Sequence, residues 1–176
     1  MKTRIELLKS FNKHLKIAEL GVFQGDFSSN ILEICEPSEL YLVDLFCGIV
    51  ESGDVNGNNV QKINGEKLLD YVSLKFNTRA NVHIKKQCSV DFLRSIDQDY
   101  LDIVYIDSSH QYEHTKQELN LSFEKVKNDG FICGHDYSPV FEGVVIAVNE
   151  FCEEKKLNLQ LTTDDRLNSF YIKLLK

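Results

Sequence analysis

The sequence predicts a single doubly wound α/β domain, residues 1–176, on one mostly parallel seven-stranded sheet that closes with an antiparallel pair. Three observations predict it. Short apolar runs alternate with segments of helical spacing, the pattern of βαβ units. Leu101 to Ile106 is β-branched and nearly continuous in hydrophobicity, as in a strand covered on both faces. The first apolar run ends in Gly21-Val22-Phe23-Gln24-Gly25, a glycine-bearing turn that leads into a helix.

Each element follows in order. Arg4 to Asn12 reads as a short amphipathic helix, and Leu15 to Leu20 as the first strand. Ser28 to Ile34 is a helix with Ser28 as its expected N-cap. Leu40 to Asp44 is the second strand and Val82 to Lys85 the third. Ser89 is placed to cap a helix over Asp91 to Ile96. After the fourth strand, Leu101 to Ile106, a helix runs from Tyr112 to Lys127, with Leu119, Phe123 and Val126 on one face and Asn128-Asp129-Gly130 as its stop. Phe131 to Gly134 is the fifth strand and Val144 to Lys155 a helix. Leu157 to Thr162 and Phe170 to Leu174 flank Asp164-Asp165-Arg166-Leu167-Asn168, a closing antiparallel pair. One segment breaks the rhythm. Phe46 to Gly65 is rich in Gly and Asn and follows the second strand, so it is expected to be a mobile loop that covers a pocket.

Composition narrows the function. The net charge is −7 and no basic stripe is evident, which argues against a nucleic-acid partner that must neutralise phosphates. The five cysteines are odd in number, widely spaced and without a C-x-x-C pair, the usage of a reduced protein rather than a disulfide scaffold. Cys133 lies in an apolar run and reads as core. No signal peptide or membrane span is evident, so no membrane partner is expected and a cytoplasmic location follows by default.

In an open parallel sheet, ligands bind beyond the carboxyl ends of the strands. Gly21 and Gly25 flank the turn at the first of these ends. Phe23 stands where a dinucleotide fingerprint carries its middle glycine, which hinders a pyrophosphate from lying against the turn. Asp44 closes the second strand, 23 residues after Gly21. A carboxylate there can accept hydrogen bonds from both hydroxyls of a ribose. Strand, glycine turn, helix, strand and acidic end together point to a nucleoside-containing cofactor.

The stretch Glu19-Leu20-Gly21-Val22-Phe23-Gln24-Gly25-Asp26-Phe27-Ser28 resembles the first motif of class I S-adenosylmethionine-dependent methyltransferases, with Asp44 in the place of their ribose-binding acid. The closer likeness is to the methyltransferase-24 group, related to catechol O-methyltransferase-like enzymes. Leu101-Asp102-Ile103-Val104-Tyr105-Ile106-Asp107-Ser108-Ser109-His110-Gln111-Tyr112-Glu113 is similar to that group's fourth-strand motif. Asp129-Gly130-Phe131-Ile132-Cys133-Gly134-His135-Asp136-Tyr137 is similar to its fifth-strand motif, and Gly143-Val144-Val145-Ile146-Ala147-Val148 to the helix that follows. The likeness runs from about Lys16 to Phe151 and more weakly to the end. It implies a Rossmann-like sheet and methyl transfer from S-adenosylmethionine to an oxygen of a small molecule, such as a sugar hydroxyl or a phenol.

The resemblance also implies roles. Glu19, Gly21 and Gly25 would surround the methionine part of the cofactor. Asp44 would hold the ribose, Leu45 would border the adenine, and Ser89 would lie at its edge. Asp107 would sit beside the sulfonium and the acceptor. Asp107 and Asp136 end neighbouring strands, and in metal-dependent relatives such acids hold a cation, here magnesium, that positions the acceptor oxygen. Tyr137 stands where the catechol-type enzymes carry asparagine, and His135 where some relatives carry a second acid, so a transition metal or no metal also stays open. His110 and His135 are the candidate general bases, alongside Asp107. His114 reads as a surface residue, and His14 and His83 have no site context.

Two rival readings remain. One is an NAD-linked oxidoreductase on a similar sheet, against which Phe23 argues. The other is a cofactor-binding module without turnover. Many relatives cover the acceptor with extra N-terminal helices, and one is expected here. The cover then has to come from the Phe46 to Gly65 loop or from a second copy of the chain, which makes a homo-oligomer one of the expectations.

Overall fold

The structure, a computed structural model, describes residues 1, 3–47, 49–52, 61–163 and 167–176. In chain order the elements are α1 (Arg4–Lys9), β1 (Lys16–Leu20), α2 (Asp26–Cys35), β2 (Glu39–Asp44), β3 (Ile49–Ser52), β4 (Gln61–Asn64), α3 (Gly65–Phe76), β5 (Val82–Lys86), α4 (Ser89–Ser95), β6 (Leu101–Ile106), α5 (Tyr112–Lys125), β7 (Val126–Tyr137), α6 (Glu142–Lys155), β8 (Leu159–Leu161) and β9 (Asn168–Lys173). Seven strands form one sheet in the order β5-β2-β1-β6-β7-β9-β8, and β3 pairs with β4 in a separate two-stranded ribbon. The first five strands of the large sheet are parallel, while β9 runs antiparallel to both β7 and β8. This is the doubly wound sheet with a closing antiparallel pair that the sequence predicts.

Side-chain alternation splits the core into two layers. On β6, Ile103 and Tyr105 join a buried cluster with Leu7 and Leu8 of α1, Ile31 of α2 and Val72 of α3. Val104 and Ile106 face the other way and pack with Phe92 of α4, Leu119 of α5 and Phe151 of α6. Helices therefore cover both sides, which is why β6 shows no polar alternation in the sequence. The chain moves outward from β1 through β2 to β5 and then returns to β6 on the other side of β1. That reversal opens a crevice between the carboxyl ends of β1 and β6.

Several local expectations shift for physical reasons. The second helix begins at Asp26, not Ser28, because Gly25 takes the left-handed cap position at φ +70°. Ser28 is then free to turn inward, where its hydroxyl donates to Glu19. Ser89 is the first residue of α4 rather than its cap, and Cys88 holds the cap position with no side-chain bond. Helix α5 stops at Lys125, before Asn128-Asp129-Gly130, because Val126 is extended and pairs with Leu101. Those three residues belong to β7 instead.

Helix α3 has no counterpart in the sequence-based expectations, although Leu68, Val72 and Phe76 repeat at four-residue spacing and are buried. It supplies part of the crossover that parallel β2 and β5 require. Of the loop expected over Phe46 to Gly65, the described parts form the β3–β4 ribbon and the start of α3. Its mobile character, along with Gly48, residues 53–60 and the Asp164-Asp165-Arg166 turn, lies outside the described residues. Among the described residues, no helix is long and apolar enough to cross a membrane.

Candidate functional site

Three strand ends are stitched together by backbone hydrogen bonds. Gly21 N–H donates to the Val43 carbonyl at 2.8 Å, and Asp107 N–H to the Leu20 carbonyl at 2.7 Å. The residues that follow β1, β2 and β6 are thereby held side by side. Gly21 has φ +90°, and a Cβ there would lie 2.0 Å from the Asp107 carbonyl oxygen, so no other residue fits without moving β6. Phe23 also adopts a left-handed φ of +51°, so the turn keeps the shape of a glycine loop with a phenyl ring in the middle position.

Asp44 locks that turn. Its Oδ2 accepts hydrogen bonds from the N–H groups of Val22 at 2.8 Å and Phe23 at 3.1 Å. Its Oδ1 accepts from Phe46 N–H at 2.8 Å. A carboxylate oxygen offers two lone pairs, so Oδ2 is fully used by the turn while Oδ1 retains one for a ligand hydroxyl.

A cavity of about 460 Å³ lies over these strand ends. Gly21, Asp44, Leu45, Ser89 and Asp107, five of the residues expected to hold the cofactor, line it. Val43, Phe46 and Leu68 give it apolar walls. The volume suits a nucleoside-sized ligand. Glu19 and Gly25 lie off this wall. Glu19 is buried on β1, and its carboxylate takes the Ser28 hydroxyl. Burial, the largest influence, lifts its pKa from an ordinary 4.5 to about 8; Ser28 and Arg4 pull it down, while Asp107 and Asp44 push it up. Gly25 is pinned by Phe76, whose ring would lie 2.8 Å from an added Cβ.

Beside the cavity, a second group gathers at the ends of β6 and β7. His110, His135 and Asp136 border a small pocket whose wall Asp107 shares with the larger cavity. Asp136 is gripped from both sides. His135 Nδ1 lies 2.9 Å from its Oδ1, and His110 Nε2 lies 2.7 Å from its Oδ2. Burial opposes its ionisation, but these two imidazoles outweigh it and hold its pKa below the usual range. The His110 ring stacks on Phe141 with centroids 3.9 Å apart. Asp136 has φ +59°, a conformation aspartate tolerates better than most residues.

Asp107 is raised to about 6, mainly by burial, with Asp136 adding to the rise and His135, Arg4 and His110 opposing it. A quarter of its side chain still meets solvent. Arg4 of α1 reaches the same rim, with Nη1 3.9 Å from Asp107 Oδ2 and its guanidinium 4.6 Å from the Phe27 ring centroid.

Asp107, His135 and Asp136 each offer one ligand atom, all within 4.8 Å of one another. Two carboxylates and an imidazole form a donor set that fits a divalent cation. The nitrogen suits manganese, iron or zinc better than magnesium, which prefers oxygen alone.

The structure refines one reading and adds a residue. His114 keeps 30% of its side chain exposed, as a surface residue can, but it also lines the cavity and pairs with the fully buried Glu118, Nε2 to Oε1 at 3.2 Å. That hydrogen bond, the largest influence, raises its pKa above the ordinary value. The i, i+4 spacing of His114 and Glu118 was visible in the sequence as a helical pair. The burial of Glu118 was not. Neither His14 nor His83 lies at these strand ends. His83 pairs with Glu39 at the sheet edge, and His14 sits by a separate hollow with Arg79.

Comparison with known proteins agrees with this fold. The sequence pattern of the methyltransferase-24 family, described as a methyltransferase domain, matches residues 18–137. No curated protein sequence matches the chain. Among solved structures, the O-methyltransferase NovP is similar at 20% identity with a TM-score of 0.71, covering 98% of this chain and 80% of its own. An rRNA methylase from Streptococcus thermophilus is similar at 10% identity with a TM-score of 0.69, covering 98% and 95%. A Streptococcus mutans protein in complex with S-adenosylhomocysteine is similar at 13% identity with a TM-score of 0.70, covering 99% of each chain.

Proposed function

This chain belongs to the methyltransferase-24 family of S-adenosylmethionine-dependent methyltransferases, and we propose that it methylates a hydroxyl oxygen of a small molecule. The observation that carries the reading is the adjacency of the two pockets. Asp107 forms a wall of both the nucleoside-sized cavity and the carboxylate–imidazole pocket. A reacting methyl and a proton-accepting group can therefore meet across one residue.

When bound, S-adenosylmethionine supplies a methyl already activated by a positive sulfur. The chain's own residues then have three tasks. Asp44 accepts a ribose hydroxyl with the Oδ1 lone pair that its backbone partners leave spare, while Leu45 and Ser89 border the adenine. Glu19, Gly21 and Gly25 shape the site around the methionine part, and Asp107 faces the positive sulfur. His110, His135 and Asp107 take up the proton that the acceptor hydroxyl loses. Asp136 fixes both imidazoles by accepting from each. A divalent cation held by Asp107, His135 and Asp136 would lower the pKa of the acceptor hydroxyl, leaving His110 as the base.

An RNA acceptor is the competing reading, since rRNA methylases share the fold. The net charge of −7 weighs against it. An NAD-linked role does not fit the family. The test is transfer of a labelled methyl from S-adenosylmethionine to a panel of sugars and phenols, with rRNA as a parallel arm. Labelled small molecules are expected; label only in RNA overturns the acceptor class.

A further inference from the structure

The five cysteines divide into two groups, and the mechanism above uses neither. Cys35, Cys133 and Cys152 are buried in the two core layers. Burial pushes the thiols of Cys35 and Cys152 up to about 11 and lifts that of Cys133 as well, so none of the three presents a thiolate near neutral pH. Cys47 and Cys88 have the opposite setting. Both are free thiols, Cys47 exposed and Cys88 half-buried. Both line the large cavity, beside Asp44 and Leu45.

The two thiols reach that wall from neighbouring strands. Gln87 N–H donates to the Asp44 carbonyl at 3.1 Å, so the chain beyond β5 is held against the end of β2. Cys88 follows Gln87 directly, and Cys47 lies three residues after Asp44. The backbone at Cys47 is packed in turn on Gly65 at the start of α3, where an added Cβ would lie 2.8 Å from the Cys47 Cα.

We infer that Cys47 and Cys88 are sites of thiol exchange with a low-molecular-weight disulfide, and that an adduct on either one shuts the cofactor out. The inference rests on the reading of this cavity as the S-adenosylmethionine site. In the exchange, the cysteine sulfur attacks as thiolate on one sulfur of the disulfide. The disulfide's own S–S bond breaks and a protein S–S bond forms. The other half leaves as a thiolate and takes up the proton that the cysteine gave up. The disulfide is itself the oxidant, so no further co-reactant is needed. The adduct, a tripeptide in the case of oxidised glutathione, then occupies a cavity that suits one nucleoside-sized ligand. Adduct and cofactor exclude each other, so the coupling is reciprocal and bound cofactor must also protect the thiols.

The experiment treats the full chain with oxidised glutathione, maps the adduct by mass spectrometry of its peptides and titrates S-adenosylhomocysteine by calorimetry. Adduct is expected at Cys47 and Cys88 and not at Cys35, Cys133 or Cys152. The fraction of chain that binds the ligand is expected to fall in step with the fraction modified, and dithiothreitol to restore it. Saturating S-adenosylhomocysteine is expected to slow the modification. The Cys47→Ser/Cys88→Ser double variant, compared with itself before treatment, should keep its binding. If that variant does not fold, protection by the ligand and recovery with dithiothreitol decide. Binding that survives complete modification overturns the inference, and so does a disulfide between Cys47 and Cys88 in place of the adducts. Circular dichroism that shows the treated chain unfolded overturns it as well, because the loss is then structural. An untreated chain that binds S-adenosylhomocysteine but takes no adduct at either cysteine refutes the inference and spares the cofactor reading. An untreated chain that does not bind the ligand removes that reading and this inference with it.

Discussion

The Asp44 carboxylate accepts the backbone N–H groups of Val22 and Phe23 at 2.8 and 3.1 Å, so the acid that ends β2 also shapes the turn that follows β1. Asp44→Ala is therefore expected to remove a ligand contact and loosen the turn together. Each bond to a charged acceptor is worth about 1.5–3 kcal/mol, so S-adenosylhomocysteine affinity should fall by about 100-fold or more. Titration calorimetry measures it, and unchanged affinity would refute the ribose role.

Glu19 couples stability to pH. Its folded pKa of about 8 lies above the ordinary 4.5. Between these values the folded state holds a proton that the unfolded chain releases. The contribution is complete below pH 4.5 and is lost as pH rises through about 8. Glu19→Gln mimics the neutral acid and can still accept from Ser28. Without ligand, the natural chain should lose about 4 °C or more of melting temperature between pH 6 and 9 relative to this variant. Parallel melting curves would contradict a raised Glu19.

Gly21 has no room for a side chain, because a Cβ would lie 2.0 Å from the Asp107 carbonyl oxygen at φ +90°. Gly21→Ala should cost about 3 kcal/mol or more, a fall of roughly 6–12 °C in melting temperature for a domain of this size. Thermal melting followed by circular dichroism gives the number. A melting temperature within a degree of the natural chain would mean that β1 and β6 end farther apart than described.

The Asp107–His135–Asp136 cluster makes a prediction about metals. Manganese should bind more tightly than magnesium, and Asp136→Asn should weaken manganese by at least about tenfold. Calorimetry with each ion, without cofactor, tests this apart from turnover. Equal and negligible heats would remove the cation from the account.

Much of the fold was legible because its signals are local. The apolar run at Leu101–Ile106 predicted β6 to the residue, and the distance from Gly21 to Asp44 reflects a short β-turn-α-β path that little else can alter. What stayed hidden depends on residues far apart in sequence. Ser28 looks like a cap until Glu19, nine residues away, is seen to need a donor. His114 looks like a helix-surface residue until Ser89, 25 residues away, closes on it. Asp107, His110, His135 and Asp136 could each be marked as strand-end groups, but the clamp on Asp136 by two imidazoles appears only when β6 and β7 lie side by side.

The central claim, an S-adenosylmethionine site built on Gly21, Asp44 and Asp107, is tested most directly by calorimetric titration of the natural chain with S-adenosylhomocysteine. The account predicts saturable binding of one ligand per chain. An absence of binding heat at several temperatures, with the protein folded, would contradict it.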